Sequence, residues 1–172
     1  MITESNLPLV VLLGDSIRMG YHAVVVRELA GVAEVWAPTE NGAHTKHTRA
    51  RLTEWFAGKQ PAVVHINVGL HDMWLNEDGT HRHELPEYLA ELKAILEWLR
   101  DRTEARIVFG LTTPVDQDRQ CASNYARVVR RNTDIPAYNG PTRALVESLG
   151  LGVNNLYAAV QSVGVDQLIA AD

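Results

Sequence analysis

Two patterns of apolar and polar positions recur along this chain: short unbroken apolar runs, and longer stretches in which apolar residues return every third or fourth position. The first run, Leu9-Val10-Val11-Leu12-Leu13, stops at Gly14-Asp15-Ser16. Such a run predicts a parallel strand covered on both faces, with Gly14 allowing a tight turn at its end. Arg18 to Ala30 reads as a helix, with Tyr21, Val25 and Leu29 in one row and Gly31 as its stop. Val32 to Ala37 reads as a short strand closed by Pro38, and Thr39 to His44 as a polar loop with an Asn41-Gly42 turn signal.

The pattern then repeats. Thr45 to Ala57 predicts a helix with the stripe Thr48, Leu52, Trp55 and Phe56. Ala62 to Val68 predicts a strand that ends in Gly69-Leu70-His71-Asp72. Pro86 opens a long helix whose stripe, from Leu85 through Tyr88, Leu92 and Ile95 to Leu99, is a core face without chemistry. Arg106 to Leu111 predicts another strand. Helices are expected over Cys121 to Arg131 and Pro141 to Ser148, on either side of an Asn139-Gly140 break. The first of these turns Val129 inward and Arg127, Arg130 and Arg131 onto a solvated face. Gly152 to Tyr157 is the last strand expected. Strands alternating with helices predict an α/β fold, a parallel sheet of about five strands with helices on both faces.

The 172 residues fit a single domain, and a hydrophobic content of 46% supplies a sizeable core. A formal net charge of −5 without a basic block argues against nucleic acid as a partner. Cys121 is the only cysteine, so no internal disulfide forms, which suits a reducing compartment. Met1 to Pro8 lacks the features of a signal peptide, and no apolar stretch approaches the ~20 residues of a membrane span, so a cytoplasmic location is expected.

The strand ends carry the chemistry: Asp15-Ser16, Asn41-Gly42 and His71-Asp72. In an open parallel sheet these ends lie along one edge, where ligands gather. Ser16 reads either as a plain helix cap or as a nucleophile. A nucleophile needs a base and donors for the oxyanion formed on attack. The backbone N–H groups of Ser16 and Gly42 and the side chain of His71 are candidate donors.

With these motifs in this order, the chain resembles the SGNH or GDSL hydrolases, a family of esterases, lipases and carbohydrate deacetylases with a flavodoxin-like, three-layer α/β/α fold. Gly14-Asp15-Ser16-Ile17 matches the block that carries the family's nucleophile, and Gly42 the glycine of its oxyanion hole. Gly69-Leu70-His71-Asp72 stands at the block usually written Gly-x-Asn-Asp. Thr112-Thr113-Pro114-Val115 and Asn154-Asn155-Leu156-Tyr157 resemble the segments after the fourth and fifth strands. The resemblance implies a serine hydrolase acting on a small-molecule ester without a cofactor, with Ser16 attacking the acyl carbon.

The chain departs from the family pattern twice. His71 replaces the asparagine that donates to the oxyanion; an imidazole also donates an N–H, but one expected to be sensitive to protonation near neutral pH. The family's Asp-x-x-His block supplies the base and the aspartate that orients it. Asp172 matches that aspartate, and no Asp-x-x-His occurs elsewhere in the C-terminal half. The expectation is a chain cut at the start of this block, without its C-terminal helix and nearly inactive as it stands.

The other polar residues have plainer readings. His22 reads as exposed, His65 as a hydrogen-bonded core residue, and His44 and His47 as polar residues at a helix start. The spacing of His71, Asp72, His81 and His83 fits no compact metal motif. Asp15 and Asp72 read as structural. Two alternatives to the hydrolase stay open: a non-catalytic module binding a small acyl or glycan ligand, and a flavodoxin-like phosphate or nucleotide binder. The second lacks any Gly-x-Gly-x-x-Gly or Gly-x-x-x-x-Gly-Lys pattern.

Overall fold

A computed structural model of the chain describes residues 7–116, 119 and 129–168. Five strands, β1 (Leu9–Gly14), β2 (Glu34–Trp36), β3 (Val63–Asn67), β4 (Arg106–Gly110) and β5 (Gly152–Asn154), form one parallel sheet in the order β2-β1-β3-β4-β5. The helices are α1 (Ser16–Glu28), α2 (Thr45–Trp55), α3 (Leu85–Arg102), α4 (Asp134–Ser148), α5 (Leu156–Val163) and a last short turn of helix, α6 (Val165–Leu168). None of the described helices is long and apolar enough to cross a membrane.

The strand order puts β1 between β2 and β3, so the direction of winding reverses at β1. That reversal opens a crevice at the carboxyl ends of β1 and β3, the favoured ligand site of an open α/β sheet. The register pairs Gly14 with Asn67, which sets the last residues of the two strands side by side there.

Successive strand residues face opposite sides of the sheet. Val11, Leu13, Val64, Ile66, Ile107 and Phe109 are all at most 3% exposed and join the main core. The α3 stripe, Tyr88, Leu92, Ile95, Leu96 and Leu99, is at most 1% exposed within the same core. Each such side chain contributes about 1.5–3 kcal/mol of transfer free energy, and this stripe holds α3 against α2 and α4. On the opposite face, Val10, Leu12 and His65 line a groove with Tyr21 and Val25 of α1 and Leu156 of α5.

Four expected features change. First, α4 runs through Asn139, Gly140 and Pro141 instead of breaking there. The Asn139 side chain does not turn the local backbone; it bonds the Thr112 backbone, accepting from N–H at 3.0 Å and donating to C=O at 2.9 Å. Second, Leu156-Tyr157 begins α5 rather than ending β5, because the Asn155 side chain caps that helix by accepting from the Ala158 N–H at 3.1 Å. Third, Val129, Arg130 and Arg131 are not helical. Fourth, Arg130 is 4% exposed rather than solvated, and its Nε donates to the Leu70 carbonyl at 3.0 Å. Most of the helix expected from Cys121 lies outside the described residues.

Candidate active site

Ser16 is the first residue of α1, and Asp15 caps the helix beneath it. Asp15 is 1% exposed, and its Oδ1 accepts from the Ile17 N–H at 3.0 Å and from Asn67 Nδ2 at 3.3 Å. Its role is structural: the same oxygen fixes the start of α1 and the end of β3. Asn67 continues the network, its Oδ1 accepting from the Tyr21 hydroxyl at 2.7 Å. That hydroxyl lies 3.3 Å from His65 Nδ1, and His65 Nε2 lies 3.2 Å from Asn154 Nδ2. A neutral ring with the proton on Nδ1 satisfies every contact: Asn154 donates to Nε2, and Nδ1–H donates to the tyrosine oxygen. Burial pushes the His65 pKa down, in keeping with a neutral ring. His65 is therefore a hydrogen-bonded strand residue, as read from the sequence.

The Asn41-Gly42 loop docks against this turn. The Gly42 N–H donates to the Gly14 carbonyl at 2.9 Å, and the Gly42 carbonyl accepts from Thr48 Oγ1 at 2.8 Å. A Cβ on Gly42 would lie 2.6 Å from the Gly14 oxygen, so only glycine allows the approach. Gly14 is equally constrained, with φ at +157° and its own hypothetical Cβ 2.5 Å from Asn67 Oδ1. The sequence assigned the Gly42 N–H to the oxyanion. In this structure that N–H donates to the Gly14 carbonyl, a bond that holds the Gly42 loop against the end of β1.

The third strand end supplies Asp72, which is 0% exposed. Its carboxylate accepts from the Thr45 N–H at 3.1 and 3.2 Å, from Thr45 Oγ1 at 2.5 Å and from His83 Nδ1 at 2.7 Å. Thr45 is the first residue of α2, so Asp72 neutralises a helix N-terminus from another loop. His44 caps the same helix, its Nδ1 accepting from the His47 N–H at 3.3 Å. Its ring meets the His83 ring edge-on at 4.9 Å. Burial lowers the His44 pKa, against the opposing pull of Asp72. His81 is held elsewhere, with Nε2 3.0 Å from Asp134 Oδ2.

His71 stands beside this cluster, and its buried Nε2 has no hydrogen-bond partner among the described residues. Burial, helped by the positive charges of Arg130 and Arg82, pushes its pKa down to about 4. This corrects the expected sensitivity near neutral pH: the ring is neutral there and presents a fixed charge state. A narrow cleft at the carboxyl ends of β1, β3 and β4 is lined by Asp15, Ile17, Asn67, Val68, Leu70 and Thr112. The structure thus gathers the Ser16, Gly42 and His71 segments on one edge of the sheet, whereas Asp172 lies outside the described residues.

Sequence reasoning missed Arg82, Trp74 and the buried Arg130. Both guanidinium groups lie over the Trp74 ring, at 5.4 Å for Arg82 and 5.0 Å for Arg130. No short-range spacing connects residues 74 and 130, so periodicity carried no signal for this contact.

No family model matches this chain, and no curated protein does. Solved structures do share its fold. A lipase/acylhydrolase from Enterococcus faecalis aligns with a TM-score of 0.75 and 21% identity, over 96% of this chain and 85% of its own. Axe2, an acetylxylan esterase from Geobacillus stearothermophilus, aligns with a TM-score of 0.70 and 19% identity, over 95% and 82%. A GDSL-like lipase from Bacteroides thetaiotaomicron aligns with a TM-score of 0.67 and 16% identity, over 88% and 70%. The chain has the α/β fold of the SGNH/GDSL hydrolase structures, as its motifs implied.

Proposed function

We propose that this protein is a serine hydrolase that cleaves a small-molecule ester, with Ser16 as its nucleophile. The observation that carries the reading is the pairing of two features at the sheet's switch point. A serine opens α1 at the end of β1, and the neighbouring strand-end loop offers a neutral imidazole whose buried Nε2 has no hydrogen-bond partner among the described residues. The esterases and acylhydrolases among the structural neighbours support the same class.

In this reading Ser16 Oγ attacks the acyl carbon, and the carbonyl oxygen becomes an oxyanion. The Ser16 N–H, at the positive end of α1, and the Nε2–H of His71 receive it. Gly42 keeps the second loop pressed to Gly14 so that the edge holds its shape. A base takes the serine proton and returns it to the leaving alcohol, and Asp172 keeps the role implied by the resemblance, orienting that base. Water then releases the acyl group by the same route in reverse.

A non-catalytic small-ligand module is the second reading. Its support is that His44, His65, His81 and His83 each hold a structural partner already. Hydrolysis of short-chain 4-nitrophenyl esters by the parent and by Ser16→Ala separates the two. The hydrolase reading requires turnover that disappears in the variant. Ligand binding with no Ser16-dependent turnover supports the module instead.

A further inference from the structure

The loops after β3 and β4 each hold a buried side-chain atom without a hydrogen-bond partner among the described residues, Nε2 of His71 and Oγ1 of Thr113. The proposed reaction uses the first. Thr113 is 4% exposed, and its segment is pinned on both sides. The Asn139 side chain holds the Thr112 backbone through both its N–H and its C=O. The Asn132 side chain holds Val115 in the same way, accepting from the N–H at 2.8 Å and donating to the C=O at 2.7 Å. Pro114, between them, fixes one more backbone angle. A loop clamped in this way does not relax to bring the Thr113 hydroxyl a partner.

Burying a hydroxyl without a partner costs free energy, so an exception in a native fold calls for a reason. Thr113 lines the narrow cleft at the carboxyl ends of β1, β3 and β4. Asp15 and Asn67 line it too, but they already bond each other, and Asn67 also bonds Tyr21. Most of the remaining wall is apolar, built by Ile17, Val68, Leu70, Leu111 and Leu156. The space left for the centre of a water-sized sphere is about 10 Å³, enough for one small group and too little for a chain or a ring. Asp15 and Ile17 flank Ser16 in the chain, so the cleft adjoins the candidate nucleophile. During ester cleavage the acyl group stays bonded to the serine while the alcohol leaves, and a one-group cleft beside the serine suits the acyl side. A hydroxyl both donates and accepts, and a hydroxyl on the ligand matches it in both senses.

We propose that this cleft receives the end of a short acyl group and that the Thr113 hydroxyl bonds a hydroxyl carried on it, so that the preferred ester is that of a small α-hydroxy acid. The acyl assignment rests on the ester-hydrolase reading above; the pairing of Thr113 with a ligand hydroxyl does not.

The test uses two esters of equal size, phenyl glycolate and phenyl propionate, which differ in a terminal hydroxyl against a methyl. The rates compared are those that disappear in Ser16→Ala, each divided by the rate of the same ester in alkaline hydrolysis. Corrected in this way, the glycolate should exceed the propionate about tenfold or more in kcat/KM, the scale of one hydrogen bond to a buried group. Thr113→Val keeps the shape of the side chain and removes the hydroxyl. It should bring the ratio to unity or below without lowering the urea midpoint, whereas Thr113→Ser should keep most of the preference. A hydroxyl that merely bonds an ordered water would leave the ratio unmoved. Equal corrected rates in the parent, or a ratio indifferent to Thr113→Val, would therefore overturn the proposal. Thr113→Ala is read in the same way if the valine variant does not fold. If no ester shows Ser16-dependent turnover, the hydrolase reading fails, and ligand-detected NMR with glycolamide and propionamide decides this one. Glycolamide binding about tenfold tighter, with the difference lost in Thr113→Val, supports it, and no binding, or equal binding of the two amides, overturns it.

Discussion

Asp72 Oδ1 lies 2.7 Å from His83 Nδ1 while the same carboxylate holds both the N–H and the hydroxyl of Thr45. One buried charge thereby joins the loop after β3 to the start of α2 and to the far arm of the hairpin. Asp72→Ala would leave the Thr45 donors and the His83 proton buried without an acceptor. The expected loss is about 3–5 kcal/mol in urea unfolding, with a much smaller loss in Asp72→Asn. A loss under about 1 kcal/mol in Asp72→Ala would show that the carboxylate does not organise these loops.

His71 links stability to pH. Its folded pKa of about 4 lies below the ordinary histidine value of 6.5, so the unfolded chain binds this proton first as pH falls. Stability from this residue is therefore full above about pH 6.5 and is lost progressively down to about pH 4, by on the order of 2–3 kcal/mol. His71→Asn should flatten that part of the stability–pH curve. Parent and variant curves that run parallel between these pH values would contradict a half-buried, neutral ring.

The same residue carries a kinetic expectation. Loss of one oxyanion donor lowers kcat by about 10²–10³. His71→Ala should show that loss, while His71→Asn, which restores an N–H, should keep much of the rate. Alanine and asparagine variants that both match the parent would remove His71 from the oxyanion hole.

Gly42 is the tightest contact between two strand-end loops. Gly42→Ala puts a methyl 2.6 Å from the Gly14 carbonyl oxygen, so the loop must move away. The expected cost is about 1–3 kcal/mol of stability, with ester hydrolysis falling further than stability alone explains. A fully active and stable Gly42→Ala would mean that the loop does not define the site.

Four described histidines near the site are engaged: His44 with α2, His65 with Asn154, His81 with Asp134 and His83 with Asp72. None of these four is assigned the base. Added imidazole should therefore accelerate hydrolysis, and only where Ser16 is intact. Ordinary enzyme rates without imidazole, abolished by alanine at one of these four positions, would assign the base to that residue.

What the sequence made legible depended on how local the cause was. The unbroken β1 run, the α3 stripe and the Asp15 cap arise from neighbouring residues, and each is visible in the order of side chains. Asn139-Gly140-Pro141 reads as a break because its usual chemistry is local, yet the Asn139 amide bonds Thr112, 27 positions away, and the helix continues. Arg130 reads as solvated for the same reason; its burial depends on Leu70 and Trp74, on a loop 60 positions from it in the case of Leu70. At the site, the sequence brought Ser16, Gly42 and His71 to one edge. It did not reveal that the Gly42 N–H binds Gly14, nor that two arginines and burial keep His71 neutral. Those facts depend on distances between loops, which no spacing along the chain encodes.

The central claim is that Ser16 is a nucleophile and not merely the first residue of a capped helix. Its most direct test is reaction with a fluorophosphonate, imidazole being supplied as the base, followed by mass spectrometry of the digested protein. The account predicts one adduct, on the peptide containing Gly14-Asp15-Ser16-Ile17, absent from Ser16→Ala although that variant remains folded. No adduct on Ser16, or labelling of the Ser16→Ala variant equal to the parent, would contradict it.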